Sequence, residues 1–168
     1  MSVGKTTLVN ALAELPEFKD YKFRTERSKE LMAMGIPLNT DSTLKGQTIF
    51  LAERASELMC DNIITDRTII DVMAFASASK SMNILDKDAF EVYASEFVRE
   101  YDYIFYFSPE GVGIEDNLIR ETNKDYRQII DNKINMLLGK YNYRIKNLVQ
   151  IPPNLTVQER VNFVLKTL

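Results

Sequence analysis

Four short apolar runs, each separated from the next by helical periodicity, constrain the fold more than any other feature of the chain. They are Tyr21 to Thr25, Asn62-Ile63-Ile64-Thr65-Asp66, Tyr101-Asp102-Tyr103-Ile104-Phe105-Tyr106-Phe107, and Asn147 to Ile151. The third, stopped by Pro109, is the clearest, and Pro152-Pro153 stops the fourth. Between them lie stretches with one apolar face per helical turn. Leu8, Val9, Leu12 and Leu15 form one stripe, ended by Pro16. Glu26 to Met34 reads as a short helix closed by Gly35 and Pro37. A longer helix, capped by Asp41 or Ser42, runs to about Met59 with Leu44, Ile49, Leu51, Ala55 and Leu58 facing inward. Ile69 to Ala78, Asp86 to Arg99 (capped by Asp86 or Asp88) and Lys124 to Leu138 follow, and Thr156-x-x-Glu159 is a capping box for the last helix. Strands joined through helices are parallel, so the expected fold is α/β, a three-layer sandwich with a parallel sheet between helices.

At 168 residues the chain is expected to form a single domain over 1–168. A hydrophobic content of 45% suffices for a core, and a net charge of −3 gives no broad basic surface for nucleic acid or anionic lipid. No run of 18 apolar residues is present, so no transmembrane helix is expected. The single Cys60 excludes an internal disulfide and suits a reducing, cytoplasmic setting; it ends an apolar helical stretch and reads as buried packing. Histidine is absent, which excludes Ser-His-Asp triads, histidine acid–base chemistry and histidine metal sites.

The N-terminal residues Gly4, Lys5 and Thr6 fit the last three fixed positions of G-x-x-x-x-G-K-[ST], and a helix follows at once. The chemistry is that of a phosphate cradle. Glycine lets the backbone approach an anion, successive N–H groups point at it, and the positive helix end reinforces them. Lys5 would reach the β- and γ-phosphates, the Thr6 hydroxyl would ligate Mg²⁺, and Thr7 continues the cradle. The first glycine of the pattern and the strand that normally precedes it are missing, and about 8–12 further residues upstream are expected to supply them. That strand is expected to be central, leaving roughly 10 Å, two strand spacings, between the strand ending at Asp66 and the strand ending at Phe107.

In a parallel sheet, ligands sit beyond the carboxyl ends of the strands. Glu26-Arg27-Ser28-Lys29 follows the first run, Asp66-Arg67 the second, and a glycine-containing loop with Arg120, Lys124 and Arg127 the third. A phosphoryl-transfer site needs a cradle, Mg²⁺ ligands, a carboxylate near the acceptor and cations over the migrating group. Asp66 suits Mg²⁺ or the acceptor; the alternative is a helix cap for the segment starting near Thr68. Glu26 is either the general base or a solvated carboxylate, and Arg67 either meets the acceptor or pairs with Asp66. Arg120, Lys124 and Arg127 form either a lid, spanning about 108–127, or a solvated helix face. The sequence Thr122-Asn123-Lys124-Asp125 departs by one residue from the guanine-reading N-K-x-D and opens a helix, which argues against a regulatory GTPase.

Taken in order, G-K-T-T, T-E-R-S-K-E-L, I-I-T-D-R-T-I-I-D-V-M-A-F and N-L-I-R-E-T-N-K-D-Y-R-Q-I-I-D resemble the P-loop kinase group that includes ribosylnicotinamide-kinase-like domains of AAA type. Thymidylate kinases and phage deoxynucleotide kinases are more distantly similar. The family's E-x-x-R appears here as Glu26-x-x-Lys29, an ammonium in place of a guanidinium fork. The resemblance implies ATP- and Mg²⁺-dependent transfer of a phosphoryl group to a small nucleoside or nucleotide acceptor. It implies that Gly4, Lys5, Thr6, Thr7, Arg120 and Arg127 bind ATP, that Thr6 and Asp66 hold the metal, and that Glu26, Asp66 and Arg67 face the acceptor. Lys5, Asp66, Glu26 and Arg120 are then the catalytic set. Two other readings stay open: a kinase acting on a polynucleotide end or modified DNA base, and a nucleotide-binding regulatory module without catalysis. The assembly, a homodimer among the options, is left open as well.

Overall fold

The structure is a computed structural model that describes residues 4–25, 27–108 and 124–168, with only the backbone of residues 29 and 124. In chain order its elements are α1 (Lys5–Ala13), β1 (Lys22–Arg24), α2 (Ser28–Ala33), α3 (Leu44–Glu57), β2 (Ile63–Thr65), α4 (Ile69–Ala78), α5 (Ile84–Ser95), β3 (Ile104–Phe107), α6 (Lys124–Lys140), β4 (Leu148–Ile151) and α7 (Val157–Thr167). Every strand read from the sequence is present, shortened by one to three residues at its ends.

The strands are parallel. β1 pairs with β2 in the register Phe23 with Ile64, and β3 with β4 in the register Phe105 with Val149. Side chains leave a strand alternately to its two faces, and β3 uses this to serve two cores. Ile104 and Tyr106 pack into a core built from α3, α4, α5 and α6, with Leu51, Ile70, Met73, Phe90 and Leu137 among its members. Phe105 and Phe107 join a second core of Leu8 and Leu12 from α1, Val161 and Val164 from α7, and Ile151 of β4. The architecture is therefore helices, parallel strands, helices.

β2 and β3 do not pair with each other. A cavity of about 720 Å³ lies between them, lined by Ile63 to Asp66 on one side and Ile104 to Phe107 on the other, with Lys5, Leu8 and Leu12 of α1 beside it.

Local capping differs from the sequence reading in three places. The cap of α3 is Thr43, whose hydroxyl accepts the Gly46 N–H at 3.2 Å, while Asp41 closes a single 3₁₀ turn. The cap of α5 is Asn83, which accepts the Asp86 N–H at 2.8 Å, so this helix starts two residues before Asp86 and gives way to a 3₁₀ segment at Glu96. The inner face of α3 is also more polar than expected: Gln47, Leu51, Arg54 and Glu57 are buried, and Leu44 is exposed. The capping box of α7 is present as read, with the Thr156 and Glu159 side chains each bonded to the other's backbone N–H. Cys60 lies just past α3, half-buried, with Lys22 Nζ 3.6 Å from its sulfur, rather than in the core. Among the described residues no helix is long and apolar enough to cross a membrane.

Leu137 is fully buried in the larger core. Leu137→Ala should cost about 2–5 kcal/mol, the range for a leucine cavity, read as a lower urea midpoint with an unchanged slope.

Candidate active site

Gly4 is the N-cap of α1, with φ of 80° and ψ of 16°, the left-handed conformation that glycine adopts without strain. No side chain caps this helix, and its first turn holds no acidic residue. Its first N–H groups and the positive end of its dipole are thus offered to an outside anion. Lys5 lines the cavity between β2 and β3, and Thr7 is exposed on the same first turn.

Thr6 and Asp66, sixty residues apart in sequence, meet here. The Thr6 hydroxyl donates to Asp66 Oδ2 at 2.7 Å. Asp66 is only 4% exposed, directly after β2, and its backbone N–H donates to Arg24 O at 3.1 Å, extending the β1–β2 ladder. Its other carboxylate oxygen, Oδ1, is buried without a hydrogen-bond partner. A buried carboxylate oxygen left unmatched is costly, and a cation is the natural complement. The cap of α4 is Thr68, which closes a capping box with Asp71, so Asp66 is not needed for that task. A hydroxyl and a carboxylate are hard oxygen donors and fit Mg²⁺, which keeps most of its water and takes few protein ligands. Among the described residues no group of three or more His, Cys, Asp or Glu forms a fuller metal cage.

Cations lie around this centre. The Arg67 guanidinium stacks over the Phe75 ring at 5.1 Å, and that ring faces Tyr126 of α6 at 6.5 Å. This aromatic bridge brings the first turn of α6, and Arg127 with it, toward the end of β2. Arg127 is half-buried; burial pulls its guanidinium below the ordinary value, against the opposing pull of Asp131 one turn along. Asp131 in turn accepts from Tyr106 Oη of β3 at 2.8 Å, and Asn135 donates to the same Oη at 2.7 Å. Glu26, Arg120 and the loop expected to act as a lid, apart from Ser108 and the start of α6, lie outside the described residues, as do the side chains of Lys29 and Lys124.

Sequence reasoning missed a buried ion pair behind the site. Arg54 and Glu57 of α3 meet at 3.1 Å with side chains 4% and 10% exposed. Burial raises the Glu57 carboxyl above its usual range despite Arg54, and Asp66 adds to the rise. Tyr101, whose Oη accepts the Ile69 N–H at 3.2 Å, has its phenol pushed far up by burial. The spacing Gln47, Leu51, Arg54 is the i, i+4, i+7 signal that identifies this face, but polar residues on it mask the pattern.

Comparison with known proteins agrees with this geometry. The AAA_28 family model, described as an AAA domain, matches residues 1–160, and the chain belongs to that family. No curated protein matches the sequence. Among solved structures, deoxyadenosine kinase from M. mycoides with bound dCTP is similar over 99% of this chain and 94% of that one, with a TM-score of 0.67 and 15% identity. At that identity the likeness concerns the fold alone.

Asp66→Asn retains the shape of the side chain and removes its charge. It should leave unfolding of the ligand-free protein nearly unchanged and weaken binding of Mg²⁺, read by isothermal titration calorimetry. Equal Mg²⁺ binding, or equal lack of it, in wild type and variant would reduce Asp66 to a structural role.

Proposed function

We propose that the protein is an ATP- and Mg²⁺-dependent kinase that phosphorylates a small nucleoside or nucleotide. The observation that carries this reading is the Thr6–Asp66 pair at the open start of α1, with one buried carboxylate oxygen unmatched. The P-loop kinase fold and the AAA-domain family support it.

In this reading the N–H groups after Gly4 and the Lys5 ammonium bind the β- and γ-phosphates and spread their charge. Thr6 and Asp66 hold the metal, which when bound neutralises charge developing on the phosphates. The acceptor oxygen, a hydroxyl of a nucleoside or a phosphate oxygen of a nucleotide, forms a bond to the γ-phosphorus as the bond from that phosphorus to the β–γ bridging oxygen breaks, releasing ADP. Where the acceptor is a hydroxyl, its proton passes to a carboxylate, for which Asp66 and Glu26 are the two offered. Arg67 meets the acceptor, and Arg127 with Arg120 covers the phosphates. Catalysis of this kind rests on alignment and charge rather than on covalent chemistry by the protein. A negative net charge of −3 favours a small acceptor over a polynucleotide end.

A turnover screen of nucleosides, nucleotides and DNA ends with ATP tests this reading. Phosphorylation of a nucleoside or nucleotide is expected, and Lys5→Ala should reduce it on the order of 10³-fold, as for loss of a phosphate-bound cation in this chemistry. Turnover of Lys5→Ala near the wild-type rate would sink the ATP-site assignment. Nucleotide binding without any phosphorylation would instead favour a regulatory module.

A further inference from the structure

We propose that Arg160 is a positioning residue of the nucleotide site, the clamp that fixes the phosphate loop against the ends of β3 and β4. The proposal rests on the kinase reading and adds a residue to it that no sequence motif marks.

Three parts of the site meet at this one guanidinium. Nε donates to Leu155 O at 3.1 Å, in the loop that leaves β4. Cζ stands 5.4 Å from the centroid of the Phe107 ring, the last residue of β3. Nη1 lies against Gly4, so close that a Cβ added there would be 2.9 Å from it. The carboxyl ends of two strands and the turn that starts α1 are thus joined by a single planar group. The group itself is held in turn: Arg160 sits in the first turn of α7, set by the Thr156–Glu159 capping box, and Arg160 N donates to Thr156 O at 3.0 Å.

The consequence follows from what Gly4 is. A glycine at φ of 80° costs nothing in strain but restrains its neighbours weakly. The N–H groups that receive phosphate follow directly after it. Unless something holds this turn, part of the binding free energy is spent on ordering it. Arg160 supplies the hold with its Nε–H bonded to Leu155 O, its Nη1 against Gly4 and its flat face over Phe107. Lysine has the charge but neither the fork nor the face. The effect should fall on the phosphate side of the reaction, because Arg160 stands against Gly4, directly before the N–H groups that receive phosphate.

The test is equilibrium binding of a non-hydrolysable ATP analogue with Mg²⁺, together with KM for ATP and for the acceptor, in wild type, Arg160→Lys and Arg160→Ala. Thermal unfolding of each ligand-free protein is measured alongside. Analogue binding and KM for ATP should weaken about tenfold in Arg160→Ala, the size of one lost hydrogen bond to a charged group. Arg160→Lys should lose nearly as much, and KM for the acceptor should stay at the wild-type value in both. If Arg160→Ala does not fold, Arg160→Lys carries the test alone. Lower unfolding midpoints with wild-type analogue binding and KM for ATP would overturn the proposal, as would equal losses for ATP and acceptor. Failure of the wild type itself to bind the analogue would overturn the kinase reading, and this assignment with it.

Discussion

The two-sided packing of β3 is the constraint on which this molecule depends. β3 sends Ile104 and Tyr106 to one core and Phe105 and Phe107 to the other, so a slip of one residue would exchange the two sets. The polar side chains of the candidate site lie beyond the strand ends, where a parallel sheet leaves room for a ligand. Asp66 and Arg67 after β2, Phe107 at the end of β3 and Leu155 after β4 all lie there. Side chains from distant parts of the sequence converge because the parallel arrangement directs every strand toward the same end.

At that end, the Thr6–Asp66 hydrogen bond joins the start of α1 to the end of β2. It is a polar contact between two elements that otherwise meet through apolar side chains. The partner it leaves unmatched, Asp66 Oδ1, is the kind of defect that a folded protein tolerates where a ligand completes it. The helix beside it starts without a side-chain cap. Anion and cation sites side by side are what a metal-bound polyphosphate requires.

Much of this was legible in the sequence, for identifiable reasons. The strands could be read because β-branched and aromatic residues alternate or cluster between helical stretches. The order of G-K-T-T and I-T-D-R allowed the expectation that Thr6 and Asp66 share a site, since loop and strand end are neighbours in a parallel sheet. The caps were less legible: Thr43 and Asn83 do the work assigned to Asp41 or Ser42 and to Asp86 or Asp88. Several Ser, Thr, Asn and Asp residues stand within a turn of each helix start, and only backbone geometry selects among them. The buried Arg54–Glu57 pair was hidden because charged residues at helical spacing ordinarily mark a solvated face. Arg160 was hidden because Gly4 and Phe107, which it stands against, are far from it in sequence, and no local pattern encodes such a meeting.

The most direct measurement is a crystal structure of the protein with Mg²⁺ and a non-hydrolysable ATP analogue. The β- and γ-phosphates are expected over the N–H groups that follow Gly4, with the Lys5 ammonium on them. Mg²⁺ is expected about 2.1 Å from the Thr6 hydroxyl oxygen, the ordinary distance for this ion, with the Asp66 carboxylate turned to the cation or to its water. A nucleotide bound elsewhere, with the Thr6–Asp66 hydrogen bond intact and no cation beside it, would contradict the account.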